Sequence, residues 1–266
     1  MKLLLKSEFY RLFKNKGIVV TAILSLIFSI LLPLFLAFLF AIIESELSLG
    51  GINFYGIHQY CSVLAGGSLI SLILFFVTTS YSCDDFKYGT IRNKVISGCS
   101  RNQIYLSKLI VNASTGVVIQ SVYAILSLIF CSIFLGYDHT NTFSINEFGN
   151  VLNLLLTSIF IQITTYTLLT TLTTTLQKSN KSILFFVITL MVISVAAEII
   201  YYVLVEFDLY KMIELLTDMN PTNQLNYIMY NELHKDLIIL IVISNIIYTF
   251  IISLIGMRSF KEKELK

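Results

Sequence analysis

The sequence predicts an all-α integral membrane protein: six transmembrane helices, an amphipathic interfacial helix at the N-terminus, and a short helix between the second and third spans. Three observations predict it. Of the 266 residues, 56% are hydrophobic and only 13% charged, where a soluble domain averages about a quarter charged. The apolar residues gather into six long runs, at 18–43, 61–81, 109–135, 151–176, 183–205 and 237–257. The basic residues fall almost entirely on alternate sides of those runs. At about 1.5 Å per residue each run can cross a hydrocarbon core of roughly 30 Å. In lipid each must satisfy its backbone internally, so each is a helix. The whole chain, 1–266, reads as one transmembrane domain.

The first run is too long for the apolar region of a signal peptide and no small-residue cleavage site follows it. The segment before it, 1–17, places Leu5, Phe9, Leu12 and Phe13 on one helical face, with Arg11 and Lys14 opposite. That pattern fits an amphipathic helix lying in the interface. It fits equally a basic flank that only orients the chain.

Charge sets the expected orientation. All Lys and Arg except Lys211 and Lys235 lie in the N-terminal tail, the second and fourth loops and the C-terminal tail. By the positive-inside rule both termini are cytoplasmic, as an even number of spans requires. Glu44, Glu46, Asp138, Glu147, Glu206, Asp208, Glu214, Asp218, Glu232 and Asp236 then face outward.

The second loop, 83–108, carries the densest pattern. Ser100 and Gln103 form a capping box. Gly98 suits the end of a preceding short helix. A helix of about three turns is too short to stand alone, so it needs a docking surface, either the bundle or another protein. Ile91, Val95 and Ile96 are candidates to fill a partner's groove, with Arg92 and Lys94 meeting acidic rims. The alternative is a basic loop that sets topology only. The external loop 206–236 contains a helical stretch, Leu209 to Leu216, which Pro221 should end. Two short helices folding back toward the membrane are expected there.

Within the spans Glu198 is the ionisable residue furthest from a run's ends. A charge at such depth costs about 2.5 kcal/mol or more, so it should face protein or water. It is either a contact for a cationic substrate or a carboxyl packed against a neighbouring Tyr or Thr. The fourth span is rich in Thr, from Thr157 to Thr175. Hydroxyls bonded back to their own helix favour a helix–helix interface over a polar pore. Cys61, Cys83, Cys99 and Cys131 lack metal spacing, and a Cys61–Cys131 disulfide is left open. No phosphate loop or hydrolase motif is present, so neither an enzyme nor ATP hydrolysis by this chain is expected. The sparse inner charge argues against nucleic-acid binding.

Asp85-Phe86-x-x-Gly89-Thr90-Ile91-Arg92, followed by Val95, Gly98, Ser100, Arg101, Ile104 and Lys108, resembles the signature of bacterial type-2 ABC transporter permeases. The likeness covers the six spans, the N-terminal helix and the short helices before the last span. Asp85 departs from the Glu of many members. The resemblance implies that 83–108 is a cytoplasmic coupling loop whose helix docks on a separate ATPase. It implies two ATPase subunits, which use ATP and Mg, and a second copy of the chain or a sister permease. It further implies the plasma membrane of a bacterium and export of an antimicrobial or amphipathic peptide or a hydrophobic drug. The alternatives are a self-contained secondary transporter or channel, and an anchor or sensor subunit that does not transport.

Overall fold

The computed structural model describes residues 1–46, 55–137, 145–206, 210–231 and 233–262. They form eleven helices and no strand. In chain order these are α1 (Lys2–Phe13), α2 (Lys16–Glu46), α3 (Gly56–Leu64), α4 (Leu69–Lys87), α5 (Thr90–Ile96), α6 (Arg101–Leu135), α7 (Ile145–Leu176), α8 (Ser179–Glu206), α9 (Tyr210–Met219), α10 (Pro221–Met229) and α11 (Lys235–Glu262). Six stretches are long and apolar enough to cross a membrane: α2, α3 with α4, α6, α7, α8 and α11. The chain is an all-α, multi-pass membrane protein. α1, α5 and the end of α11 gather at one end of the bundle, the tail end. α3, α9 and α10 gather at the other.

The second span is not the single helix its hydropathy predicts. It breaks at residues 65–68, where Gly66 adopts φ +78°, a left-handed conformation that glycine takes at little cost. Ser68 then caps α4, its Oγ accepting from the Ser71 N–H at 3.2 Å. α4 has 19 residues and at about 1.5 Å each spans about 28 Å, so it makes the crossing nearly alone. α3 packs at the far end against α6, α7 and α10. Gly56 and Ile57 donate to the carbonyls of Gly136 and Tyr137 at the end of α6, and Gln120 Nε2 donates to the Val63 carbonyl at 2.9 Å. A break at such depth holds only where protein satisfies the freed groups. Cys61 and Cys131 are both buried and free.

The hydroxyls of the fourth span behave as expected of an interface. Thr157, Thr164, Thr165, Thr167, Thr170, Thr171, Thr173, Thr174 and Thr175 all donate to carbonyls of their own helix. Several also reach across: Thr164 meets Thr249 of α11 at 3.0 Å, Thr171 meets Tyr105 of α6 at 2.9 Å, and Asn112 donates to Thr170 at 3.1 Å. α6 and α7 approach closely at Gly116, where a Cβ would lie 2.0 Å from the Tyr166 ring.

The long external loop contains two helices, α9 and α10, separated at Asn220-Pro221; residues 207–209 and 232 of that loop lie outside the described ones. Pro221 opens α10 as its first residue, where its missing N–H costs nothing. Gln224 ties α10 to α11, donating to Ser244 Oγ at 2.9 Å and accepting from Asn245 Nδ2 at 2.7 Å. α8 is the least enclosed span, with Leu184, Val187, Met191, Val192 and Val195 exposed along it.

Candidate functional site

The candidate site is the junction of α1, α4, α5 and α6 at the tail end. α4 ends at Lys87, and Gly89, at φ +65°, turns the chain into α5. A side chain there would strain the left-handed backbone. Ser97 and Gly98, the latter at φ +89°, end α5. Ser100 then starts α6 with both bonds of its capping box to Gln103, at 3.2 and 3.3 Å. Two short turns thus fix α5 across the ends of two membrane helices.

Asp85 is fully buried at the centre of this junction. Its carboxylate pairs with Arg11 from α1, with Lys94 from α5 at 3.1 Å and with Lys108 from α6 at 2.7 Å. Thr90 donates to the same carboxylate and to the Asp85 carbonyl. Glu8, 1% exposed, pairs with Arg11 at 2.8 Å and with Lys94. Tyr81 donates to the Glu8 carbonyl at 3.0 Å and lies under the Arg11 guanidinium, 4.7 Å from the ring centroid. Lys108, 1% exposed, also donates to the Ser82 carbonyl at 2.8 Å and sits 5.3 Å from the Phe86 ring centroid. Burial of ions at this depth is tolerable only because each meets several partners. Three cations face two carboxylates. Burial pushes the Glu8 carboxyl up, and Lys94, Arg11 and Lys108 more than reverse this, holding it below its ordinary value. Burial pushes the Lys94 ammonium down, with Arg11 adding to that and Glu8 only partly offsetting it.

This geometry corrects three expectations. Ile91 and Val95 do not face outward: Ile91 is buried with Ile104, Tyr105 and Phe260, and Val95 packs against that cluster. Lys94 meets acids of its own chain instead of a partner's rim. Arg11 keeps partial contact with water but reaches into the junction, while Phe13 of the expected apolar face is 71% exposed. Phe86 packs edge-on to Phe260, and Arg101 donates to the Lys261 carbonyl at 2.7 Å, so the end of α11 joins the same assembly. The face of α5 left outside carries Arg92 and Ile96, four residues apart, and Tyr88 in the turn before it is also outside, with Tyr88 69% and Ile96 74% exposed. Glu8, Arg11, Tyr81 and Lys108 are members of the junction that sequence reasoning did not single out as site residues. The signal for Lys108 was a lysine set against the start of an apolar run.

Glu198 lies elsewhere, toward the far end of α8, exposed and lining a cavity of about 620 Å³ between α8 and the α9–α11 group. It does not join the junction, and it is not packed away as a buried carboxyl. Among the described residues no group of His, Cys, Asp and Glu could hold a metal ion.

Compared with known proteins, the chain matches no family model and no curated relative.

Proposed function

We propose that the chain is the membrane subunit of an ATP-driven exporter of the type-2 ABC class, with α5 as the helix that receives force from separate ATPase subunits. One observation carries the reading. α5 is clamped inward by buried ions and apolar packing that reach α1, α4 and α6, while Tyr88, Arg92 and Ile96 remain outside. A partner pressing on that outer stripe moves the ends of two spans and the N-terminal helix as one body. Rigid-body transmission of this kind suits energy supplied by another subunit.

On this reading both termini are cytoplasmic, in a bacterial plasma membrane, because most of the positive charge lies at the tail end. Two copies, or this chain with a sister permease, enclose the path in the lipid bilayer. Two ATPases bind and hydrolyse Mg–ATP below. An antimicrobial or amphipathic peptide or a hydrophobic drug is the cargo class.

The break in the second span favours a second reading, a self-contained transporter, since such proteins build sites from interrupted helices. Against it, α4 crosses almost alone and the buried charges cluster at one end of the bundle, away from its middle. Purification in mild detergent separates the two. Co-purification of an ATPase with a phosphate loop, lost in Arg92→Glu, supports the exporter. Solute flux through the lone protein in liposomes without ATP supports the alternative.

A further inference from the structure

The cavity beside Glu198 is built differently from the rest of the membrane-facing surface. α8 runs from Ser179, so Glu198 stands about 28 Å along it, near the far end of the span. Its neighbours on the cavity wall are Tyr201 and Tyr202 of the same helix, Asn223 of α10 and Tyr248 of α11. Tyr248 Oη donates to the Met219 carbonyl at 3.0 Å and Asn223 Nδ2 to the Thr217 carbonyl at 3.1 Å, so α9, α10 and α11 hold that wall in place. Among the described residues Glu198 has neither a hydrogen bond nor an ion pair. Tyr201 and Tyr202 meet edge to face, 5.8 Å apart. Tyr202 is 71% exposed and the lining residues Ile200 and Tyr201 are exposed beside it, so the cavity opens sideways along α8.

We infer that this cavity binds a small cationic amphiphile, an ammonium head with one apolar chain, that enters sideways from the lipid. A lone carboxylate at membrane depth calls for a cation or a water-filled space. Tyrosine rings beside it offer π faces to the same ammonium. The apolar wall of the same cavity, Ile193, Ala197 and Ile200, continues from the head site along α8 and suits the chain. A volume of about 620 Å³ falls within the roughly 300–1,000 Å³ of small-molecule sites. That size favours a small amphiphile over a folded peptide. The inference narrows the cargo of the proposed exporter and rests on that reading only for the direction of movement; binding itself needs no ATPase.

The test uses the full chain in zwitterionic phosphatidylcholine nanodiscs, with protein-free nanodiscs as the blank for partition into lipid. Equilibrium dialysis measures binding of tetradecyltrimethylammonium, tetramethylammonium and tetradecyl sulfate. The expected result is saturable binding of the first, weakened about tenfold or more in Glu198→Gln and several-fold in Tyr202→Leu, and little binding of the other two. Should Glu198→Gln fail to fold, wild-type preference for the cationic over the anionic chain still decides. Equal uptake of the two chains, or full binding by a folded Glu198→Gln, overturns the inference. Failure here with a stoichiometric ATPase still captured leaves the exporter reading standing. Binding without any ATPase partner separates the two in the other direction.

Discussion

Asp85 shows how one side chain organises four helices. It receives Arg11, Lys94, Lys108 and Thr90 while its own carboxylate is fully buried. In Asp85→Asn, Lys108 keeps only the Ser82 carbonyl among its close acceptors, and a buried ammonium is left without its carboxylate. Loss of one partner of a buried pair costs about 3–5 kcal/mol, whereas loss of both costs less. Asp85→Asn is therefore expected to lower the melting temperature sharply in detergent, and Lys108→Met added to it should recover part of the loss. Thermal unfolding of the two single variants and the double variant gives the coupling; simple additivity would show that the pair does not act as a unit. Glu8 titrates at the same junction. Its folded pKa lies below the unfolded value, near 4.3 for a glutamate, so its contribution is complete above that value and is lost as pH falls through the folded one. The chain contains no tryptophan, so a Leu5→Trp reporter reads α1 alone. Its emission should shift to the red below about pH 4.5 as α1 releases. With Glu8→Gln added the shift should be present already at neutral pH. A Leu5→Trp emission that Glu8→Gln leaves unchanged at neutral pH would mean that Glu8 does not hold α1.

At the scale of elements, α5 separates covered from exposed side chains within seven residues. Ile91 is buried and Arg92, its neighbour, is exposed. Ile91→Ala should cost roughly 2–5 kcal/mol, the usual loss for a large core side chain. Arg92→Glu should change stability by no more than about 0.5 kcal/mol yet abolish capture of the ATPase. Melting curves and co-purification, run on both variants, check this contrast; a captured ATPase with Arg92→Glu would remove α5 from the docking role. Gly89→Pro imposes φ near −65° where the chain needs +65°, and transport should fail although the spans still insert. The turn after α5 was legible in the sequence because Gly98 and the Ser100–Gln103 box are local signals; the turn at Gly89 before it was not read there. Nor was the direction in which α5 faces. Ile91, Val95 and Ile96 look alike in the sequence, and only the position of Phe260, more than 160 residues later, decides which of them is covered. The break before α4 was hidden for another reason. Gly66-Gly67-Ser68 sits between two apolar stretches, and hydropathy averaged over a span passes across it.

For the whole molecule, the six crossings were readable because a bilayer demands long apolar runs whatever the tertiary contacts. The ion junction was not readable, because it joins residues 74 to 86 positions apart, such as Arg11 with Asp85 and Glu8 with Lys94. Those pairs depend on which helix ends meet, and periodicity carries no such information. Sidedness links the architecture to the proposed function, since ATP is available only in the cytoplasm. Lys87, Arg92, Lys94, Lys178, Lys181 and Arg258 all lie at the tail end, so that end is expected inside. Ser97 is exposed at the tail end and Tyr230 at the far end; Cys61, Cys83 and Cys131 are buried, and replacing the half-buried Cys99 by Ser in both variants leaves little background labelling. In intact cells a membrane-impermeant maleimide should label Tyr230→Cys and spare Ser97→Cys, and opening the cells should expose the second. The reverse pattern would place α5 on the side without ATP. No arrangement of α5 could then receive force from an ATPase, and the exporter reading would fail whatever else the bundle does.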